Sequence, residues 1–230
     1  MDAPDVPPRE LRRAFVDIAR SNRWLGGHAA SLSAVADLIV RAARDGASPV
    51  RVLDVGCGGG DFAVALLAWA AREGLEVEVV AVDPCPVAAD WTRRQAAGRP
   101  GLHVLRADGL RPPFAAGRVH VVHAAMVLHH VPRAEQAAFV ASLAEVATVG
   151  GGIADLRRAC FPYFGVALWG RLAGAGRLFR HDGPLSVARG FTPEEAEDIA
   201  REAGLTDCRV ETRFPSRLTW SWGPRPLAKA

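Results

Sequence analysis

Ten residues, Val52 to Asp61 (VLDVGCGGGD), carry the densest chemical information in the chain. An apolar run ends in Asp54 and Val55, a turn follows through Gly56, Cys57, Gly58 and Gly60, and an apolar helical pattern starts at Phe62. Glycines in such a turn permit positive φ and let backbone N–H groups approach a ligand that side chains would hold off. This is the pattern of a site for a nucleotide-type cofactor. A strand–turn–helix whose glycines serve packing alone is the other reading.

The surrounding acids discriminate between cofactors. A dinucleotide fingerprint needs a third glycine where this chain has Asp61. Asp83, followed by Pro84, ends the next apolar run, where a carboxylate can accept both hydroxyls of an adenosine ribose. Asp54 would oppose a pyrophosphate without compensation, but it suits a sulfonium and an amino group. The pattern therefore favours S-adenosylmethionine over a nicotinamide dinucleotide. Asp108, before Gly109, stands where an adenine amino group could donate to it. Ala124 ends a further apolar run, and Met126 beyond it is available to pack on the adenine or methionine portion.

These residues must be held at one edge of a sheet. Patterning predicts helices at Leu11–Ala19 and Ala29–Ala43, joined by a turn over Ser21–Gly27 that contains Trp24. Strands follow at Val50–Val55, Val77–Val82, Leu102–Arg106, Val119–His123 and Gly152–Leu156. Between them lie helices at Phe62–Arg72, Val87–Ala97 and Ala134–Thr148. Strands alternating with helices imply right-handed crossovers, a mostly parallel sheet and helices on both faces. The strand ends Gly56–Gly60, Asp83, Asp108 and Ala124 then share the carboxyl edge, where open α/β folds bind ligands. Phe161–Phe179 is an aromatic, glycine-broken helical segment, and Arg180–Pro184 is expected as a loop. Thr192 caps a helix opened by Pro193 and ended at Gly204, and Cys208–Phe214 with Arg217–Trp222 alternate as a closing antiparallel hairpin.

Composition supports one domain of 230 residues, with 50% hydrophobic content and a formal charge of +3. Its expected parts are an N-terminal helical cap (1–45), a cofactor-binding core (46–158), an acceptor-covering insertion (159–190) and a closing helix and hairpin (191–230). Lys229 is the only lysine, so the basicity rests on scattered arginines and points to no nucleic-acid partner. Cys57, Cys85, Cys160 and Cys208 have no metal-ligand spacing and read as free thiols in a reducing cytoplasm. No apolar run reaches membrane-spanning length, and no targeting segment precedes Glu10. No membrane partner is expected, and monomer and homodimer both stay open.

VLDVGCGGGD, VVAVDP, RADGL and VVHAAMVLHHVP resemble the sequential motifs of class I S-adenosylmethionine-dependent methyltransferases, over roughly Val50 to Leu156. The resemblance implies a Rossmann-like, doubly wound sheet of seven strands, with a C-terminal antiparallel hairpin, N-terminal helices and an inserted helical cover over the acceptor. His120 stands where many members carry an aspartate. The flanks around Trp24, Arg157 and His181–Val187 resemble a bacterial subfamily associated with type III polyketide synthases. That likeness implies a phenolic or pyrone-like acceptor and O- or C-methylation. Related ubiquinone-pathway O-methyltransferases hold a metal through Glu-x-x-Glu-His. Here Met126, His129 and His130 stand in its place, so no metal is expected.

Methyl transfer needs alignment, desolvation and a base where the acceptor keeps its proton. His129 and His130, just past the fourth strand, are the leading candidates, although one of such a pair commonly turns inward. His181, beside Asp182, is either part of a plain turn or on a lid that reaches the acceptor. Arg157, past the fifth strand, could orient a phenolate or carboxylate. Trp24, Tyr163 and Phe164 offer flat apolar surface for the acceptor, or else belong to the core. Two other readings stay open: a protein of this fold that uses S-adenosylmethionine without methyl transfer, such as a cyclase, and an RNA or protein methyltransferase.

Overall fold

The structure, a computed structural model, describes residues 6–109 and 114–224. Leu110, which ends the Arg106–Leu110 motif, lies outside the described residues, as do both chain ends. Two helices, α1 (Pro8–Trp24) and α2 (Gly27–Arg44), precede β1 (Val50–Val55). Then follow α3 (Asp61–Arg72), β2 (Val77–Asp83), α4 (Pro86–Ala96), β3 (Leu102–Arg106) and β4 (Val119–Ala125). A short 3₁₀ turn at Leu128–His130 leads to α5 (Arg133–Val146) and β5 (Ala147–Leu156). The chain closes with α6 (Cys160–Leu172), α7 (Arg177–Arg189), α8 (Pro193–Glu202), β6 (Arg209–Arg213) and β7 (Arg217–Trp222).

The seven strands run in the order β3-β2-β1-β4-β5-β7-β6, with β7 antiparallel to both of its neighbours and the other pairs parallel. Because the chain leaves β1 toward β2 on one side and β4 takes the other side, a crevice opens at the carboxyl ends of β1 and β4. Both faces of the sheet are covered, so its central strands are apolar at nearly every position. Period-two alternation still sorts them. Leu53, Val55 and Val122 enter one core with Leu143, Ile199 and Trp220; Val52, Val79 and Val121 enter the other with Ile39 and Leu66.

Three boundaries differ from the sequence reading. The turn expected over Ser21–Gly27 shrinks to Leu25–Gly26, since α1 continues through Trp24. β5 begins at Ala147 rather than Gly152 because Gly150, Gly151 and Gly152 are themselves strand residues. A Cβ on Gly152 would lie 2.6 Å from the carbonyl oxygen of Ala34, so the missing side chain is what lets α2 lie against the strand. Patterning cannot register strand residues that have no side chain. Finally, the loop expected at Arg180–Pro184 is helical: it lies inside α7, with Pro184 as an internal residue. The break falls earlier, between Ala173 and Gly176, where Gly174 takes φ 62°. Buried Asp17 of α1 accepts the Gly176 N–H at 2.8 Å, which fastens the start of α7 to α1.

The Thr192 cap is as expected. Its hydroxyl accepts from Glu195 N–H at 3.3 Å, and the Glu195 carboxylate accepts from Thr192 N–H at 3.1 Å.

Candidate active site

The glycine turn links β1 to α3, with Gly56, Gly58 and Gly60 at φ 67°, 52° and 72°. Side chains crowd two of them. A Cβ on Gly56 would run into Val127, and one on Gly60 into Thr92, whereas one on Gly58 would meet nothing within 4 Å. Gly58 faces open space, as a backbone cradle for a ligand must. Asp83 ties the turn down: its Oδ2 accepts from Gly58 N–H at 2.9 Å and its Oδ1 from Cys85 N–H at 2.8 Å. Burial pushes the Asp83 carboxyl up, against the pull of those two N–H groups. Burial, with Asp54 and Asp83 nearby, likewise raises the Cys57 thiol well above its ordinary value, which disfavours the thiolate.

A cleft of about 820 Å³ opens beside this turn, lined among others by Asp54, Gly58, Asp61, Met126, His130 and Arg217. Asp54 is only 2% exposed, and its Oδ1 lies 2.8 Å from Nδ1 of His123 on the adjacent strand. Asp61, in the first turn of α3, bonds His28 Nε2 at 2.7 Å and accepts from Asn22 Nδ2 at 3.0 Å. The chemistry of this lining tests the fit of a ligand. Carboxylates dominate beside the turn, and the open Gly58 position admits close approach. That suits an adenosyl group carrying positive sulfur and not a pyrophosphate. Asn22, His28, Asp61, His123 and Arg217 were not singled out as site residues in the sequence, because each acquires its neighbours through strand order and helix docking. The consecutive aspartate and glycines of the turn itself were the signal that could be read.

Asp83, Pro84, Asp108, Gly109 and Ala124 share the carboxyl edge but stand outside the lining of the cleft. Gly109 is buried against the turn; a Cβ there would lie 2.7 Å from Val55 Cγ1. Asp108 and Pro84 are exposed. Met126 holds φ 58°, which among the described residues no other non-glycine residue does in the positive region. Its N–H donates to the Ala154 carbonyl at 2.9 Å, and this fixes the strained residue at the end of β4.

The histidine pair divides as its environment dictates. His129 is buried, with Nδ1 2.6 Å from Asp155 Oδ1, while His130 is exposed and lines the cleft. Their rings lie 4.0 Å apart at 40°. His181 sits on α7 with its side chain 73% exposed and lines neither this cleft nor the neighbouring cavity.

That second cavity, of about 840 Å³, lies under α6 and α7 and against α1. Ile18, Leu25, Phe161, Val166, Phe179 and Val187 are among its apolar walls. Trp24, Tyr163 and Phe164 do not line it and are 73%, 38% and 67% exposed. From α6 the cavity is lined instead by buried Pro162, half-buried Val166 and one side of the otherwise exposed Phe161 and Gly165. Arg157 lines neither space: its exposed side chain lies near enough to Glu194 to help lower that acid, and its backbone N–H donates to Ser216 O at 2.9 Å. The cation at the cavity is Arg217, which lines both spaces together with Ile18, Met126 and Ser186.

Residues 52–151 match the methyltransferase domain family. No curated protein matches the chain. Among solved structures, a SAM-dependent methyltransferase from Aquifex aeolicus superposes with a TM-score of 0.62, at 17% identity over 95% of this chain and 98% of that one. Magnesium protoporphyrin IX methyltransferase from Synechocystis, with bound SAM, gives a TM-score of 0.56 at 16% identity over 97% and 100% of the two chains. The plantazolicin methyltransferase, in complex with a triazolic desmethyl analogue and SAH, gives 0.60 at 13% identity over 90% and 79%. The family match runs from β1 into β5, and the seven-stranded architecture around it is the fold of these methyltransferase structures.

Proposed function

We propose that this protein transfers the methyl group of S-adenosylmethionine to a small, largely apolar acceptor of phenolic or polyketide type, by O- or C-methylation. The observation that carries this reading is the apolar cavity under α6 and α7, which meets the cofactor cleft at Met126, Ser186 and Arg217. A concave, mostly apolar space walled by α1, α6 and α7 suits a small molecule and not a folded macromolecule. The flank motifs that resemble those of the polyketide synthase-associated subfamily support the same acceptor class. The four unpaired thiols support a reducing, cytoplasmic setting.

S-adenosylmethionine supplies a methyl group already activated by positive sulfur. In our reading the Gly56–Gly60 backbone cradles the adenosyl portion, Asp83 accepts its ribose hydroxyls, Asp108 receives the adenine amino group, and Asp54 faces the positive end. His130 takes the acceptor proton from its place on the cleft. His129 acts through it as a positioning residue, fixed by Asp155 and stacked on the His130 ring.

Calorimetry with S-adenosylhomocysteine, NAD and NADP tests the cofactor assignment, and tighter binding of either dinucleotide would overturn it. Incubation with S-adenosylmethionine and a panel of phenols and pyrones, read by mass spectrometry as the gain of one methylene, tests the acceptor class. His130→Ala should keep S-adenosylhomocysteine affinity and lose about 10²–10⁴-fold in turnover. Wild-type turnover in that variant removes His130 from the mechanism.

A further inference from the structure

Arg217 is a buried cation that no anion pairs with among the described residues. It opens β7 and is 4% exposed. Nη2 donates to Asn22 Oδ1 at 2.9 Å, Nη1 points at the thioether sulfur of Met126, and Nε is buried without a hydrogen-bond partner. A guanidinium carries five N–H donors, and a thioether is a weak acceptor, so the group is under-satisfied. Burial pulls its pKa down to about 10, while Asp155 and Asp61 hold it up, so it stays charged at neutral pH. Neither acid bonds to it. Asp155 is taken up by His129 and by backbone N–H groups, Asp61 by His28 and Asn22.

The position of this cation matters as much as its state. Of the residues common to the cofactor cleft and the apolar cavity, Arg217 alone is charged. The acid that lines the cavity, Asp182 on α7, has His181 as a partner at 2.8 Å. β7 lies beyond β5, on the side of β4 away from the glycine turn. A buried, incompletely bonded guanidinium at the inner end of an apolar cavity is suited to an oxyanion on an otherwise apolar molecule.

We infer that Arg217 binds the ionised hydroxyl of an aromatic or enolic acceptor at the junction of the two spaces and lowers that hydroxyl's pKa there. This rests on the methyl-transfer reading above. In O-methylation the hydroxyl gives its proton to His130, its oxygen forms the new bond to the methyl carbon, and the carbon–sulfur bond breaks with its electron pair remaining on sulfur. Arg217 holds the oxygen as an anion until that bond forms, and the neutral ether then leaves a site built for charge.

7-Hydroxycoumarin is a suitable probe, because its phenol and phenolate absorb at different wavelengths. With wild-type protein saturated with S-adenosylhomocysteine, at a pH one unit below the dye's own pKa, binding should bring up the phenolate band. Arg217→Met should lose that band and about tenfold or more in dye affinity, the change expected on losing a hydrogen bond to a charged group. Arg217→Lys should recover part of the band, and S-adenosylhomocysteine affinity should stay within about twofold in both variants. Dye bound to wild-type protein as the neutral phenol overturns the proposal, as does failure of the dye to bind, and wild-type protein alone suffices for that reading. If Arg217→Met weakens S-adenosylhomocysteine but not 5′-methylthioadenosine, which lacks the amino-acid carboxylate, the guanidinium serves the cofactor instead. Absence of S-adenosylhomocysteine binding to wild-type protein would instead defeat the cofactor reading itself, a separate result.

Discussion

Nδ1 of His123 on β4 lies 2.8 Å from Oδ1 of Asp54 on β1, and the two side chains are sealed from solvent at the central pair of strands. The acid that we propose faces the positive end of the cofactor is thus held by a neighbour 69 residues away in sequence. His123→Leu should leave the Asp54 carboxylate without its partner and cost about 1–3 kcal/mol, measured as a lower urea midpoint at constant slope. Asp54→Asn keeps an acceptor for His123 but removes the charge. In our reading S-adenosylmethionine should then lose more affinity than S-adenosylhomocysteine, which has no positive sulfur. A full charge at ~4 Å is worth between about 1 and 4 kcal/mol across surface dielectric conditions, and equal losses for the two ligands would place Asp54 away from the sulfonium.

The glycine turn offers a test that separates fold from ligand. Gly60→Ala combines strain at φ 72° with overlap on Thr92, so it should destabilise by about 2–5 kcal/mol. Gly58→Ala bears the backbone strain alone, about 1–2 kcal/mol, because its Cβ enters open space. That space is the proposed ligand's. Thermal unfolding should therefore show Gly60→Ala as the less stable variant, while calorimetry should show that Gly58→Ala folds and loses S-adenosylhomocysteine affinity. The opposite order would mean that the ligand does not approach at Gly58.

Asp83 is predicted to act through its charge. Asp83→Ala should weaken S-adenosylhomocysteine binding by roughly 1.5–3 kcal/mol, as for hydrogen bonds to a charged group. Because burial raises its pKa, protonation begins at a higher pH than for an exposed carboxyl. Affinity should accordingly fall on acidification earlier than an ordinary aspartate would allow, and Asp83→Ala should remove that part of the pH dependence. An unchanged pH profile would assign the ribose to another group.

What could be read from the sequence follows from where side-chain information lies. The turn, Asp54, Asp83 and the Thr192 cap are local patterns, and their types and spacing survive without coordinates. The two cavities are not local. Arg217 and Asn22 are 195 residues apart, and they meet because β7 returns beside β5 and α1 lies across the same edge. Tyr163 and Phe164 have the composition of a pocket, but the helical phase of α6 gives the lining to Pro162 and Val166 in their place. Arg157 differs for a related reason: its side chain is exposed, and the cation that lines both spaces, Arg217, stands on the antiparallel partner strand.

The pair His129–Asp155 gives the last expectation, on acid stability. Burial alone would raise the Asp155 carboxyl. The charge and hydrogen bond of His129, with N–H groups of Leu156 and His129 at 2.7 and 3.2 Å, bring it below its ordinary value. A folded-state pKa below the unfolded one means that the native state binds fewer protons over that interval. The stabilisation is complete above the unfolded carboxyl value of about 3.9 and is lost as pH falls from there through the folded value. Asp155→Asn should cost ~3 kcal/mol at pH 7, within the range for breaking a buried pair, and that cost should shrink as urea unfolding is repeated below about pH 4. A cost that stays constant from neutral into acid would show that Asp155 contributes by shape and hydrogen bonding rather than by its charge. His129 would then hold its ring against His130 without an ionised partner.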